Sequence, residues 1–493
     1  MPSATRSNPH SFAARPVGYS VVALVLLLFT GLKPEAQTST TPPADRGASQ
    51  TDELRELREA VRDLQVQVTE LKRELHHQHG TEGEASAPNP ALAGATPANL
   101  APQAAGENSQ TKQQGTGLGI DFLRQSTIEV GLDVYYGYNF NNPIGRVNLL
   151  RAYDVSSNAF SLNQASLILK HDPDPAAGRR FGGRLDLQFG QATETLQGSG
   201  ANEPRPEVYR PVFQVYGTYV FPAGKGLTLD VGKFASSLGF ENNYSKDQLN
   251  YSRSYWFNFL PFYHMGARAN YKFNDAIAVN YWAVNGTQQT EPFNGFKDQF
   301  FGLTLQPHKT VNWTLNYYLG QEHPDVVFFP NGGAPPNSPT EQGLPFQPIT
   351  NAPNGRLHIF DSYVSWQSTP KLTFVLEGDY VIERLLEESS PSRVTGGAAY
   401  GRYQISPKTA FAIRGEYLND HGGLFSAKTQ ALKEFTLTYD YKLAAGLLVR
   451  TEFRRDFSNL PFFLTDRLGI LSDHQNTATM ALIWWWGNKE ETW

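Results

Sequence analysis

Cysteine is absent from all 493 residues. That removes disulfides, thiolate metal sites, cysteine nucleophiles and a lipidated N-terminal cysteine together. A surplus of positive charge is missing too. The net charge is −5 and the isoelectric point about 6.1, so no basic face offers itself to nucleic acid. Mean hydropathy is −0.42, and beyond the N-terminal segment no run approaches the ~20 apolar residues of a membrane-spanning helix. This excludes a helical bundle in a bilayer but leaves a barrel open, because a strand that alternates its faces averages its hydropathy away.

Two N-terminal segments read clearly. Arg6 and Arg15 precede an apolar run over 17–30, and the small stretch ending at Ala36 offers a cleavage point. This order predicts an export signal over residues 1–36, the run being short for an anchor. After a polar spacer (37–50), Leu54, Leu57, Val61, Leu64, Val68, Leu71 and Leu75 recur at spacings of 3 and 4. They define a heptad seam over 51–79 and predict an oligomerising coiled coil, with Val and Leu at a and Leu at d. Three heptads leave dimer and trimer both open. His76, His77 and His79 form a solvated polar end, with no carboxylate or cysteine to complete a metal set. Residues 80–120, rich in Ala, Pro and Gly, read as a flexible linker.

Residues 121–493 read as the barrel domain, and from about Ser126 a period of two takes over. Ile128, Val130, Leu132, Val134, Tyr136, Tyr138 and Phe140 share one face, while Glu129, Asp133 and Asn139 share the other. Leu185 and Leu187 oppose Arg184 and Asp186; Leu376, Gly378 and Tyr380 oppose Glu377 and Asp379; Leu447, Val449 and Phe453 oppose Arg450, Glu452 and Arg454. Charges at consecutive positions of one strand face cannot occupy a dry core, but they can line water. The opposite face suits lipid, with aromatics at the strand ends.

Sixteen such segments follow one another between residues 126 and 486. Their connections alternate long and short, the short ones carrying Pro, Gly or Asn-Asp turn chemistry. This is the pattern of an antiparallel outer-membrane β-barrel of about 16 strands (14–18), with periplasmic turns and extracellular loops. Both ends then face the periplasm, where the coiled coil belongs. Trp484, Trp485, Trp486 and the final Trp493 suit a membrane interface better than a soluble core.

Several linked stretches resemble one bacterial family: VGKFASSLGFENN, NYSRSYWFNFLPFYHMGARANYKF, AVNYWAVNGTQ, AIRGEYLNDHGG and LVRTEFRRDFSN. The chain from about residue 120 is similar to the putative beta-barrel porin-2, OmpL-like family of outer-membrane proteins. The resemblance implies a channel and names no solute.

A passive pore is the first functional expectation, since a barrel of this size leaves an aqueous lumen. The inner-face charges Glu129, Asp133, Arg184, Asp186, Asp230, Arg268, Lys272, Glu377, Asp379, Arg414, Glu416, Arg450, Glu452 and Arg454 are candidates to line it. Both signs occur in similar number, which predicts weak ion preference. A substrate-specific channel is a close variant. A surface-binding barrel acting through its loops, such as the Pro-rich 322–355 segment, is a third reading. An outer-membrane enzyme finds no support: the barrel histidines fall in no Ser/His arrangement and no HExxH spacing. No cofactor or metal is implied. The expected partners are outer-membrane lipid, small hydrophilic solutes or ions, and further copies of the chain.

The strand count makes residues 236–261 the third extracellular loop. By analogy with sixteen-stranded porins this loop is expected to fold inward, the alternative being a loop packed over the outer rim. Tyr244, Tyr251, Tyr255, Trp256, Phe257 and Phe259 would pack it on the wall, leaving Glu241, Lys246, Asp247 and Arg253 to set the local field.

Overall fold

The computed structural model describes residues 126–197, 203, 206–328, 346–348 and 354–487. The export signal, the heptad seam from Leu54 to Leu75, the linker, most of the Pro-rich loop and Trp493 lie outside the described residues.

Sixteen strands form one closed barrel. They are β1 (Thr127–Asn139), β2 (Ala159–His171), β3 (Phe181–Phe189), β4 (Val212–Phe221), β5 (Leu227–Ala235), β6 (Tyr263–Lys272), β7 (Ile277–Val284), β8 (Asp298–His308), β9 (Val311–Gly320), β10 (Leu357–Thr369), β11 (Leu372–Glu383), β12 (Ser392–Ser406), β13 (Thr409–His421), β14 (Gln430–Ala444), β15 (Leu447–Ser458) and β16 (His474–Gly487). Each pairs antiparallel with the next, and β16 returns to β1 with Glu129 opposite Gly487 and Asn139 opposite Thr477. All sixteen segments read from the sequence overlap a strand. Ahead of the fourth strand the chain makes a helical turn, Pro206–Tyr209, and β4 begins at Val212.

Alternation decides the two faces. Along β15, Arg450, Glu452, Arg454 and Asp456 are buried inside the barrel while Phe453 and Phe457 stand exposed outside. The outer surface carries an apolar belt that only lipid would cover. Aromatic pairs edge it at both rims: Phe181–Tyr219, Tyr271–Phe273 and Trp484–Trp486 on the short-turn side, Tyr136–Phe160, Tyr281–Phe301 and Tyr317–Phe360 on the long-loop side. Among the three consecutive tryptophans, Trp485 alone turns inward, where it packs with Tyr135, Tyr251, Leu448, Ala481 and Ile483.

Two strands alternate poorly in sequence, each for a local reason. In β2, Asn163 and Gln164 are adjacent yet both buried, because the β1–β2 register shifts between Asp133 and Val134. Such a bulge turns two neighbours to the same side. In β12 the small run from Gly396 to Ala399 replaces patterned residues, and a Cβ on Gly397 would come within 2.1 Å of the Glu377 carbonyl oxygen. Two short ribbons, Val326–Phe328 with Phe346–Pro348 and Phe463–Leu464 with Leu471–Ser472, ornament the long loops.

Candidate functional site: a loop inside the barrel

An irregular segment that leaves water must find partners for its N–H and C=O groups. In residues 236–261, which join β5 to β6, charged side chains of the wall supply many of them. Glu452 accepts from the N–H of Tyr251 (2.5 Å) and Ser252 (2.9 Å). Glu416 accepts from those of Tyr255 (2.8 Å) and Trp256 (2.9 Å), and Glu377 from that of Phe240 (2.9 Å). In the other direction Arg450 donates to the carbonyls of Ser245 (3.0 Å), Gln248 (2.8 Å) and Asn250 (3.2 Å). Arg414 donates to that of Ser252 (2.7 Å) and Arg454 to that of Arg253 (2.6 Å). The wall thus substitutes for a strand partner.

Ions held this far from water also need each other, since an unpaired buried charge is far costlier than a paired one. Arg414 is shared by Glu241 (2.7 Å) and Glu434 (2.8 Å). Arg450 pairs with Asp440 (2.6 Å), Arg454 with Asp456 (2.7 Å), Arg184 with Asp186 (2.6 Å) and Arg268 with Asp230 (2.7 Å). Asp133 accepts from Asn163 (2.6 Å) and from the Tyr251 hydroxyl (2.9 Å), and Tyr255 donates to Asp456 (2.7 Å). Burial, reinforced by these carboxylates, pushes both loop phenols well above their usual range, so they remain neutral donors.

Apolar contacts complete the seating. Leu238, Tyr255, Trp256 and Leu260 join inward-facing Val375, Val394, Leu418 and Leu432 in one cluster. The short helix Tyr255–Phe259 is capped by Ser254, whose hydroxyl accepts from the Phe257 N–H. Gly239 adopts φ 81°, and a Cβ there would lie 3.2 Å from Glu377 Oε1, so the loop enters the lumen where only glycine fits well.

The four loop charges separate into two kinds. Arg253 is fully buried, donating to the carbonyls of Tyr251 (2.7 Å), Asn243 (2.8 Å) and Asn242 (3.2 Å). Glu241 is also buried and accepts from the Ser254 N–H (2.7 Å). Both are fastenings. Lys246 reaches down to Glu129 near the start of β1 (3.0 Å) and touches Asp247 (3.1 Å). The Asp247 side chain keeps 39% of its surface exposed, the most of any charge the sequence reading placed on this loop.

Asp247 borders the space the loop leaves open. A cavity of about 370 Å³ lies between the loop and the opposite wall. The wall side is Thr228, Asn270, Asn280, Thr304, Asn312, Thr314, Asn316 and Ser365, with Arg268 and Lys272; the loop side includes Ser237, Phe240, Asn242, Asp247 and Gln248. Of the inner-face charges singled out from the sequence, Glu377, Arg414, Glu416, Arg450, Glu452 and Arg454 meet the loop backbone, Glu129, Asp133 and Asp186 meet its side chains, and Arg268 and Lys272 meet the cavity. Glu434, Asp440 and Asp456 were not singled out, although the same alternation along β14 and β15 puts them on the inner face. Nor was the amide and hydroxyl lining, whose residue types carry no signal without the fold.

A closed sixteen-stranded antiparallel barrel with an apolar belt and a polar interior defines an outer-membrane, porin-like protein. Residues 126–484 match the family model of putative beta-barrel porin-2, OmpL-like, and the chain belongs to that family of channels. Among curated proteins none matches. Similar solved structures include the outer-membrane channel DcaP of Acinetobacter baumannii, at 9% identity and a TM-score of 0.46 over 73% of this chain and 97% of that one. An anion-selective porin from Comamonas acidovorans is similar at 6% identity and a TM-score of 0.46 over 73% and 99%. OmpF of Salmonella typhi, solved with daunomycin, is similar at 10% identity and a TM-score of 0.44 over 73% and 97%.

Proposed function

We infer that the protein is a passive outer-membrane pore for small hydrophilic solutes or ions, narrowed by residues 236–261. The observation that carries this reading is the one-sided seating of the loop. Its backbone is fastened to charges from β11, β13 and β15, and the cavity beside it is bordered by β5–β10. Flow would then pass between the loop and an amide-rich wall. Ion preference is weak, because Arg268 is neutralised by Asp230 and the other lining side chains are largely uncharged. Asp247 and Lys272 are the charges expected to tune it.

The heptad seam would sit in the periplasm and hold two or three barrels together, adding to contacts between barrel walls. A substrate-specific channel is the second reading, and the neutral lining favours it: amides and hydroxyls suit uncharged polyhydroxyl solutes as well as ions. Conductance of the full-length protein in a planar bilayer tests both. A stable open level with modest selectivity supports the general pore, and block by one class of neutral solute supports the specific channel. A folded, heat-modifiable protein that conducts nothing overturns both.

A further inference from the structure

Most lumenal carboxylates of this barrel have an evident compensator. Asp186, Asp230, Glu241, Glu434, Asp440 and Asp456 each lie within 3 Å of a guanidinium, and Glu416 and Glu452 each receive two backbone N–H groups. Asp361 on β10 and Glu377 and Asp379 on β11 differ. Asp361 and Asp379 face each other across the ladder, with Glu377 two residues along on the same side. Each of the three offers an oxygen, and these oxygens all lie within 4.8 Å of one another. All three residues are more than nine-tenths buried.

Their donors are few. Asn316 Nδ2 donates to Asp361 Oδ2 (2.7 Å), and Glu377 accepts from the Phe240 N–H (2.9 Å) and the Tyr400 hydroxyl (3.1 Å). Asp361 Oδ1 and both oxygens of Asp379 are buried and lack a well-formed donor, beyond the Gly239 N–H that faces Asp361 and the contact between the Asp361 and Asp379 carboxyls themselves. On the same amide that bonds Asp361, Asn316 Oδ1 is a neutral acceptor buried without a partner as well. A carboxylate stripped of both water and donors is the arrangement that proteins compensate with a bound cation or a proton.

We propose that Asp361, Glu377 and Asp379 form a divalent-cation site, selective for calcium over magnesium, where the loop enters the lumen. The donors in reach are oxygens only, the set that hard cations take. Calcium accepts six to eight of them in irregular geometry, whereas magnesium demands near-octahedral ligands and keeps several waters, so an irregular set of protein oxygens favours calcium. Glu377 also accepts from the Phe240 N–H, so a bound ion would tie β10 and β11 to the first turn of the loop. The site rests on carboxylate geometry and is independent of what the barrel conducts.

The test uses the full chain, refolded free of lipopolysaccharide and stripped with EDTA. Calorimetry with CaCl2 and MgCl2 is combined with thermal unfolding followed by heat-modifiable migration. Calcium is expected to bind and to raise the unfolding temperature, more than magnesium does at equal concentration. Asp379→Asn should weaken calcium binding at least about tenfold, because site charge sets affinity, and should remove the thermal response. Asp172→Asn, in an exposed turn, should leave both intact. If Asp379→Asn does not fold, Glu377→Gln serves in its place. The proposal fails if the wild type shows no calcium response, or if the variant responds as the wild type does. A variant that is simply more stable in EGTA, beside a calcium-indifferent wild type, would mean that the carboxyls share protons instead.

Discussion

From β13 to β15 the lumenal face carries Arg414, Glu416, Glu434, Asp440, Arg450, Glu452, Arg454 and Asp456, whereas from β6 to β9 it carries chiefly Asn270, Asn280, Thr304, Asn312, Thr314 and Asn316. Both sets arise from the same period-two pattern, in strands of 12–15 residues on the charged side and 8–11 on the amide side. The charged side is engaged with other protein groups: its carboxylates take loop N–H groups and its guanidiniums take loop carbonyls. The amide side borders open space. Density of charge on this barrel wall therefore marks where protein is fastened, and the milder polar stretch marks where space is left open.

The comparison can be broken by mutation. Arg414→Ala leaves Glu241 and Glu434 buried without their shared cation, and loss of a buried partner costs about 3–5 kcal/mol. Thr304→Ala on the amide side should cost about 0.5 kcal/mol or less, the usual size for a substitution away from such features. Denaturant unfolding in lipid vesicles measures both, and equal losses would erase the distinction. Glu416→Gln weakens two charge-assisted bonds to the loop, an effect of roughly 1.5–3 kcal/mol. It should also make the open level noisier; a quiet channel of unchanged size would show that the loop is held by its apolar contacts alone.

The mouth above the amide side should respond to pH. Glu322, just past β9, accepts from the Thr287 N–H (3.1 Å) and from Gln289 (2.8 Å). Burial, aided by neighbouring Asp298, raises its carboxyl well above the usual range. A raised folded-state pKa contributes stability that is complete below the unfolded value, about 4.3, and is lost as pH rises through the folded one. Unfolding should therefore become progressively easier as pH rises from about 4.3 to that folded-state value, by a component that Glu322→Gln removes. A variant retaining the full pH slope would refute this assignment. The smallest effect is electrical. Asp247→Asn should move the reversal potential a few millivolts toward anions. An unchanged potential would place the flow elsewhere in the barrel.

The sequence carried the barrel better than it carried the loop. Strand positions were legible because each wall has lipid on one side and polar groups on the other, and that contrast is written residue by residue. It blurred at Asn163 and Gln164, where a bulge turns neighbours to one side, and at Gly396 and Gly397, where close backbone approach displaces pattern. The inward course of residues 236–261 had only analogy behind it. Glu241 and Arg253 read as field-setting charges, and both also hold the loop: Arg253 donates to loop carbonyls close in sequence, while Glu241 pairs with Arg414 on β13, a partner too distant in sequence to leave a local trace. Glu377 and Asp379 were visible as inner-face carboxylates. Their meeting with Asp361 depends on strand register, which alternation alone does not supply.

Lys246 and its neighbours reach the foot of the cylinder, where they meet Glu129 of the first strand, while Arg450 and Glu452 of the fifteenth grip the same segment. The loop therefore bridges the first and fifteenth strands, on either side of the place where β16 meets β1, and its Tyr251 packs on Ala481 and Ile483 of β16. Those contacts cannot all form until the last strand has arrived, and joining such distant parts of a chain is slow. Docking of this segment thus records that the ring has shut: a half-assembled barrel would still have it free, and a protease added during biogenesis would find it.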